Sequence, residues 1–322
     1  MNRTTPWDEI NIPNADYNVR RVPDSGDASL FWGRDISGRC LFVVELHGEH
    51  TALFRKERTW VRGIEVDLRG MDSAGIQGLI LALEKHEDRD LFFGLCKTLI
   101  ASLAQTTDSA MMLSLALSHI KRWKAFLASQ KRNLLTNEEI RGLFGELMFL
   151  RCLYRKYLDK QAALEAWKGP DGAHQDFIFG NTAVEVKALS GQERNTVRIS
   201  SEDQLESLCD RLFLLIYRFA EAPVANNSLS LNEMVRSVEG ELAKGADIEE
   251  FYKRLASCGY VEMQEYDSPK FRMASQHAYR VVDDFPRLAR SGLPDGVIGL
   301  RYDLKIEKIR KFECDLSEVG EE

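Results

Sequence analysis

No uninterrupted apolar run in the sequence approaches bilayer-spanning length, which excludes a transmembrane helix as its organising element. The opening residues, MNRTTPWDEINIPNADYNV, lack the apolar h-region of a secretory signal, so the chain is expected in the cytoplasm without a membrane partner. There is no CxxC pair. The six cysteines, Cys40, Cys96, Cys152, Cys209, Cys258 and Cys314, are dispersed, which argues against a zinc knuckle or a disulfide framework and leaves buried free thiols. A basic excess is missing as well. The net charge is −7, whereas a protein that coats nucleic acid without discrimination carries the opposite field.

What is present is an ordinary globular composition, 44% hydrophobic and 29% charged over 322 residues, with room for two domains or for one core with large additions. Charge is unevenly spread: Lys121 to Lys160 holds ten Lys or Arg against four Asp or Glu. Residues 1–107 read as a β-rich N-terminal region. Leu30 to Trp32, Arg39 to Leu46, Ala52 to Phe54 and Trp60 to Leu68 are short apolar or alternating runs between turn residues, the pattern of a small sandwich or barrel, and Leu91 to Leu103 turns helical. Residues 108–225 form the expected core and 226–322 a C-terminal α/β extension packing on it. Within the core, Asp108 to Ser129 reads as a helix, and Thr136 with Glu139 forms a capping box that opens a second helix over Asn137 to Tyr157.

The most informative stretch is Gln175 to Lys187, QDFIFGNTAVEVK. Gly180-Asn181 suits a two-residue hairpin turn, and both flanks alternate as strands do. That turn pairs Phe179 with Thr182 and Phe177 with Val184, and sets Asp176 opposite Glu185. Phe177, Phe179, Val184 and Val186 then share a core face, while Asp176, Glu185 and Lys187 share a charged one. Opposed residues have Cβ atoms roughly 5 Å apart, so the two carboxylates repel unless a cation lies between them, and a divalent metal ion would serve.

An Asp followed by Glu-x-Lys on the next strand resembles the catalytic hairpin of the PD-(D/E)xK, or restriction-endonuclease-like, nucleases. The resemblance runs from about Glu138 to Leu208 and is nearest to a bacterial branch known simply as PD-(D/E)xK motif proteins, which tends to sit beside restriction-modification and phage-defence genes. It implies an α+β fold: a restriction-endonuclease-like core with a mixed central sheet flanked by helices.

On the second helix, Ile140, Leu143, Phe144, Leu147, Leu150, Tyr154 and Leu158 make a broad apolar face, and Glu146 falls on a sector that should be partly covered. A carboxylate there pairs or binds metal. The resemblance places a metal-binding Glu at this position; an ion-paired helix glutamate is the other reading. Pro170-Asp171 spells the family's "PD", but in a turn ahead of the strand, so Asp176 is preferred as the ligand with Asp171 as runner-up. Gln204 matches a Gln that some of these nucleases place near the metal, and answers equally to a Ser-x-x-Gln cap of a helix starting at Ser201. Asn195 to Ile199 and Leu212 to Phe219 read as further strands. Leu231 to Leu242 and Asp247 to Ser257 read as helices, and Lys270 to Val282 and Val297 to Phe312 as strands.

The chemistry implied is metal-dependent phosphodiester hydrolysis. Asp176, Glu185, the Val186 carbonyl and Glu146 form a hard oxygen set suited to Mg²⁺, with Mn²⁺ as substitute. Lys187 would orient or help deprotonate the attacking water and neutralise charge building on the phosphorane, with the direction of its pKa shift left open. Lys131, Arg132, Arg194 and Arg198 are candidate contacts to the DNA backbone. The expected function is thus a DNA endonuclease of a restriction or phage-defence system, with other subunits of that system or a homodimer as partners. The alternative is a catalytically silent subunit of the same fold that binds DNA or scaffolds.

Overall fold

The structure, a computed structural model, describes residues 5–23, 25–61, 63–71, 73–85, 89–104, 106–128, 134–191, 195–222, 227–242 and 245–320. The chain divides into two compact units, residues 1–132 with 261–264, and 133–260 with 265–322. This differs from the three-region expectation. The helix expected to open the core lies with the first unit, and the 226–322 segment lies with the core, apart from the short return to the first unit.

In the first unit, strands β1 (Tyr17–Arg21), β2 (Leu30–Asp35), β3 (Cys40–His47), β4 (Ile64–Gly70) and β5 (Ile76–Leu83) form one antiparallel sheet in the order β1-β2-β3-β5-β4. Helices α1 (Thr51–Glu57), α2 (Arg89–Leu103) and α3 (Ser109–Ala128) complete it. Trp7 stacks on Phe92 of α2 at 5.4 Å and meets Trp32 of β2 edge-on at 5.0 Å, so one sheet face is closed by helix and aromatic rings. The sandwich or barrel expected here is therefore a single helix-covered sheet. Ala52 to Phe54, read as a strand, lies in α1; Ala, Leu, Arg, Lys and Glu all favour helix, and three apolar residues carry too little periodicity to overrule them.

The second unit opens with α4 (Asn137–Lys156), whose Thr136 and Glu139 make the expected capping box, and α5 (Lys160–Ala166). Strands β6 (Phe177–Phe179), β7 (Thr182–Ser190), β8 (Thr196–Ile199) and β9 (Arg211–Glu221) follow, then helices α6 (Leu231–Glu241) and α7 (Gly245–Ser257). Strands β10 (Phe271–Arg280), β11 (Tyr302–Lys305) and β12 (Glu313–Cys314) complete the unit's strands. The main sheet runs β12-β10-β9-β7-β6, with β7 and β9 parallel and the other pairs antiparallel, which is the mixed central sheet expected. Strand β9 is central and covered on both faces, which is why its sequence, RLFLLIYRFAE, is almost continuously apolar instead of alternating.

Helix α4 packs on the face of β7 that carries Val186 and Ala188. It does so closely because Gly145 has no side chain: a Cβ there would stand 3.1 Å from Ala188 Cβ and 3.7 Å from Val186 Cγ1. Phe144 completes the contact, edge-on to Phe219 at 5.1 Å. The opposite face of the sheet, with Ala183, Leu189, Leu212, Leu214 and Ile216, is buried against Val197, Ile199 and Leu304 of the separate two-stranded β8/β11 sheet.

Two local expectations do not hold. Ser201 to Asp210 forms turns, not a helix, because its carbonyls are claimed by side chains: the buried Gln175 carboxamide donates to Asp203 O at 2.8 Å and Glu206 O at 2.9 Å, and Arg287 to Leu205 O at 2.6 Å. Of Val297 to Phe312, only β11 is strand and Ile306–Ile309 is a helical turn. Among the described residues no helix is long and apolar enough to cross a membrane.

Candidate active site

The hairpin carries the register expected of its turn, with Phe177 opposite Val184, Ile178 opposite Ala183 and Phe179 opposite Thr182. Gly180, at φ 49°, supplies the positive dihedral that such a turn demands. Strand β6 is only three residues long, and this brevity makes the site. Alternation along an antiparallel ladder turns the Val186 N–H toward the β6 side, where the strand has already ended. Asp176 Oδ2 takes that hydrogen bond instead, at 2.8 Å. The edge of β7 from Glu185 to Lys187 is thus left open beside Asp176.

Helix α4 reaches the same edge from the Val186 face and brings Glu146. The Trp167 indole donates to Glu146 Oε2 at 2.7 Å. Gly169 completes the corner: a Cβ at that position would lie 3.0 Å from Glu146 Oε2 and 3.3 Å from Asp176 Oδ1, so both carboxylates border a space kept free by a missing side chain. From the other face, Glu185 is 1% exposed. Its Oε1 pairs with Lys187 Nζ at 2.8 Å, while its Oε2 is buried with no hydrogen-bond partner. Lys187 also donates to Gln204 Oε1 at 3.1 Å, and that oxygen accepts the Ser200 N–H at 2.8 Å.

The face expected to be a charged cluster is therefore largely covered, since Ala183 and Leu189 beside Glu185 and Lys187 sit in the core. What remains accessible is a cleft of about 650 Å³ lined by Glu146, Asp176, Glu185, Lys187, Gln204 and Arg198.

Electrostatics follow from this burial. Glu185 is pushed up to about 8, first by desolvation and then by the Asp176 charge, with Lys187 opposing. Glu146 is half-buried by surface area yet ringed by protein atoms, and its pKa rises well above the ordinary range for the same two reasons, against the Trp167 hydrogen bond. Burial also raises Asp176, opposed by the Val186 N–H. For Lys187, burial pulls the pKa down, but the Glu185, Asp176 and Glu146 carboxylates outweigh it and the ammonium ends above its ordinary value. Three crowded acids thus face one ammonium, and a divalent cation among them would favour their ionised forms.

The donor set suits such an ion in kind: hard oxygens only, one of them a buried carboxylate oxygen without a partner. It is not converged in advance. Among the described residues, no group of three or more His, Cys, Asp or Glu side chains is arranged to hold a metal ion, and the Lys187 ammonium occupies one side of Glu185.

The remaining residues singled out from sequence fall as follows. Asp171 lies outside this cleft, exposed on a 3-10 turn and paired with Arg254 at 3.3 Å. Gln204 lies inside it, holding Lys187 instead of capping a helix. Arg198 lines the rim, exposed and paired with Asp303 at 3.1 Å. Lys131, Arg132 and Arg194 lie outside the described residues. Sequence reasoning missed Trp167, which has no spacing relation to Glu146, and Arg141, whose guanidinium donates to Ala188 O at 3.1 Å. Arg141 had a legible signal, because Glu138, Arg141, Gly142, Gly145 and Glu146 form a polar and glycine stripe at helical spacing.

Comparison with known proteins gives one result on this geometry's side. A family model described as "Putative PD-(D/E)XK family member, (DUF4420)" matches residues 4–307. No curated protein and no solved structure matches the chain.

Proposed function

The chain belongs to that PD-(D/E)XK family, and from this we propose that it is a metal-dependent DNA endonuclease that hydrolyses phosphodiester bonds as part of a bacterial restriction or phage-defence system. The observation that carries the proposal is the meeting of Glu146, Asp176, Glu185 and Lys187 at the open edge of β7, with Glu185 Oε2 buried and unpartnered.

Asp176, Glu185, Glu146 and the Val186 carbonyl would hold Mg²⁺ or Mn²⁺, which when bound polarises the scissile phosphate and lowers the pKa of a coordinated water. Lys187 serves as a cation. Held between Glu185 and Gln204, its ammonium faces the cleft and neutralises charge growing on the phosphorane; its raised pKa disfavours a role as general base. Arg198 and Arg141 at the rim offer guanidinium groups for the phosphates on either side. Other subunits of the system, or a second copy of the chain for the opposite strand, would be the partners.

A second reading, a silent DNA-binding or scaffolding subunit, is favoured by the Lys187–Glu185 ion pair and the unconverged carboxylates. One experiment separates the two. Purified protein is incubated with modified and unmodified phage DNA in Mg²⁺, in Mn²⁺ and in EDTA, beside Lys187→Ala. Cleavage that needs the metal and is lost in the variant supports the nuclease; a variant cutting at the wild-type rate overturns the catalytic assignment, and DNA binding without cleavage in any condition selects the silent subunit.

A further inference from the structure

The first unit carries an exposed aromatic set among cations, and its contrast with the rest of the chain is sharp. Four of the five tryptophans, Trp7, Trp32, Trp123 and Trp167, are at most 4% exposed, while Trp60 is 70% exposed. A large indole left in water is the informative exception to burial. In sequence Trp60 lies between Phe54, which is 5% exposed on α1, and Val61, which is 1% exposed and bridges to Ile64.

Just before it in sequence, Arg55, Lys56 and Arg58 are exposed beside one half-buried acid, Glu57, and among the described residues none of these three cations makes an ion pair. Lys124, exposed on α3, joins the group by donating to Thr59 Oγ1 at 3.1 Å. Arg55 and Lys56 complement the C-terminal end of the α1 dipole, which accounts for those two charges. It leaves Arg58, Lys124 and the uncovered indole unexplained.

We infer that this surface binds single-stranded nucleic acid, with a base stacked on Trp60 and the backbone phosphates on Arg55, Lys56, Arg58 and Lys124. A flat ring set among cations is the chemistry that sequence-tolerant single-strand binders use. A duplex offers the phosphates but keeps its bases stacked, so the indole would go unused. A membrane surface would call for a broad apolar face, whereas Phe54 and Val61 beside Trp60 are buried and the apolar exposure here is one ring. The local positive charge stands out on a chain of net charge −7, which is what complementarity to a polyanion requires. The site shares no residue with the cleft described above and does not depend on the nuclease reading.

The test is fluorescence anisotropy with the full chain in EDTA, so that cleavage plays no part, using labelled oligothymidylate, oligouridylate and a duplex of matched length. Trp60→Ala is expected to weaken single-strand binding about tenfold, and Trp60→Phe to retain most of it. Arg55→Ala with Arg58→Ala should lower the slope of log affinity on log salt by about 1.4, while Trp60→Ala leaves that slope unchanged. The two single strands distinguish DNA from RNA as the source of the ligand. Equal binding by wild type and Trp60→Ala, or a duplex bound as tightly as either strand, overturns the inference. So does Trp60-dependent retention on phosphatidylcholine–phosphatidylserine vesicles without oligonucleotide binding, which would assign the surface to lipid.

Discussion

Trp167 and Glu146 lie 21 residues apart in sequence, and the Trp167 indole N–H holds the Glu146 carboxylate at 2.7 Å. The buried ring is stacked near Phe177 and tilted against Phe251, so the donor is fixed by packing. A half-buried acid with a raised pKa is thereby kept aimed at Asp176 and not paired with a surface cation.

Removing that donor while keeping an aromatic ring should release Glu146. Trp167→Phe is expected to slow Mg²⁺-dependent cleavage about tenfold or more, the worth of one hydrogen bond to a charged group. Circular dichroism and thermal unfolding would show the variant folded. An unchanged rate would remove Glu146 from the set of groups that matter.

The choice between the two aspartates is open to a direct comparison. Asp176→Asn should abolish detectable cleavage, because Asp176 is the carboxylate beside Glu185 and Glu146. Asp171→Asn should leave the rate unchanged and alter stability by no more than about 1 kcal/mol, since its pairing with Arg254 is on an exposed side chain. Loss of activity in the second variant alone would reverse the assignment.

Two glycines near the cleft should respond in opposite ways. Gly169→Ala puts a methyl 3.0 Å from Glu146 Oε2 and 3.3 Å from Asp176 Oδ1, and is expected to reduce cleavage with little loss of stability. At Gly142, within α4, an added Cβ meets nothing within 4 Å, so Gly142→Ala should stabilise the protein by about 0.5–1 kcal/mol. Denaturant unfolding reads the second and a plasmid-nicking rate the first; equal activity in Gly169→Ala would show that the corner tolerates crowding.

His119 predicts a pH dependence away from the cleft. Burial, with the Arg122 charge adding, pulls its pKa from 6.5 down to about 4, and its Nε2 lies 2.9 Å from Ser102 Oγ. A lowered folded-state pKa means that the unfolded chain binds this proton first as pH falls. Stability is therefore complete above about pH 6.5, erodes between 6.5 and 4, and is reduced by roughly 3 kcal/mol at the lower end. Urea unfolding across that window should show the slope in wild type and a shallower one in His119→Asn; identical slopes would assign the loss to other groups.

Much of the second unit was legible because its signals are local. Gly180-Asn181 admits one tight turn, and a two-residue loop leaves a single register, so the pairing of Phe177 with Val184 could be read from the chain. The Thr136 and Glu139 box marked where α4 begins, and its apolar stripe marked which side is buried. Ser201 misled, since a cap-like tetrapeptide is followed by carbonyls already committed to Gln175 and Arg287, partners that no local pattern announces. Ala52 to Phe54 misled for the converse reason: three apolar residues fit either period, and helix propensity decided.

Sequence alone determined the hairpin, its register and the helix that carries Glu146, because turn sterics, capping and side-chain alternation act over a few residues. Only the tertiary structure decided that β6 ends early enough to open the edge of β7, that α4 lies on the Val186 face and reaches around it, and that Trp167, Gly169 and Gln204 hold the charged groups in place. It also decided that Asp176 and not Asp171 stands beside Glu146, and that three carboxylates gather around Lys187 and favour its charged form. Those outcomes depend on desolvation and on the fields of charges brought together from distant parts of the chain, and burial is set by what packs over a residue, which its neighbours in sequence do not specify.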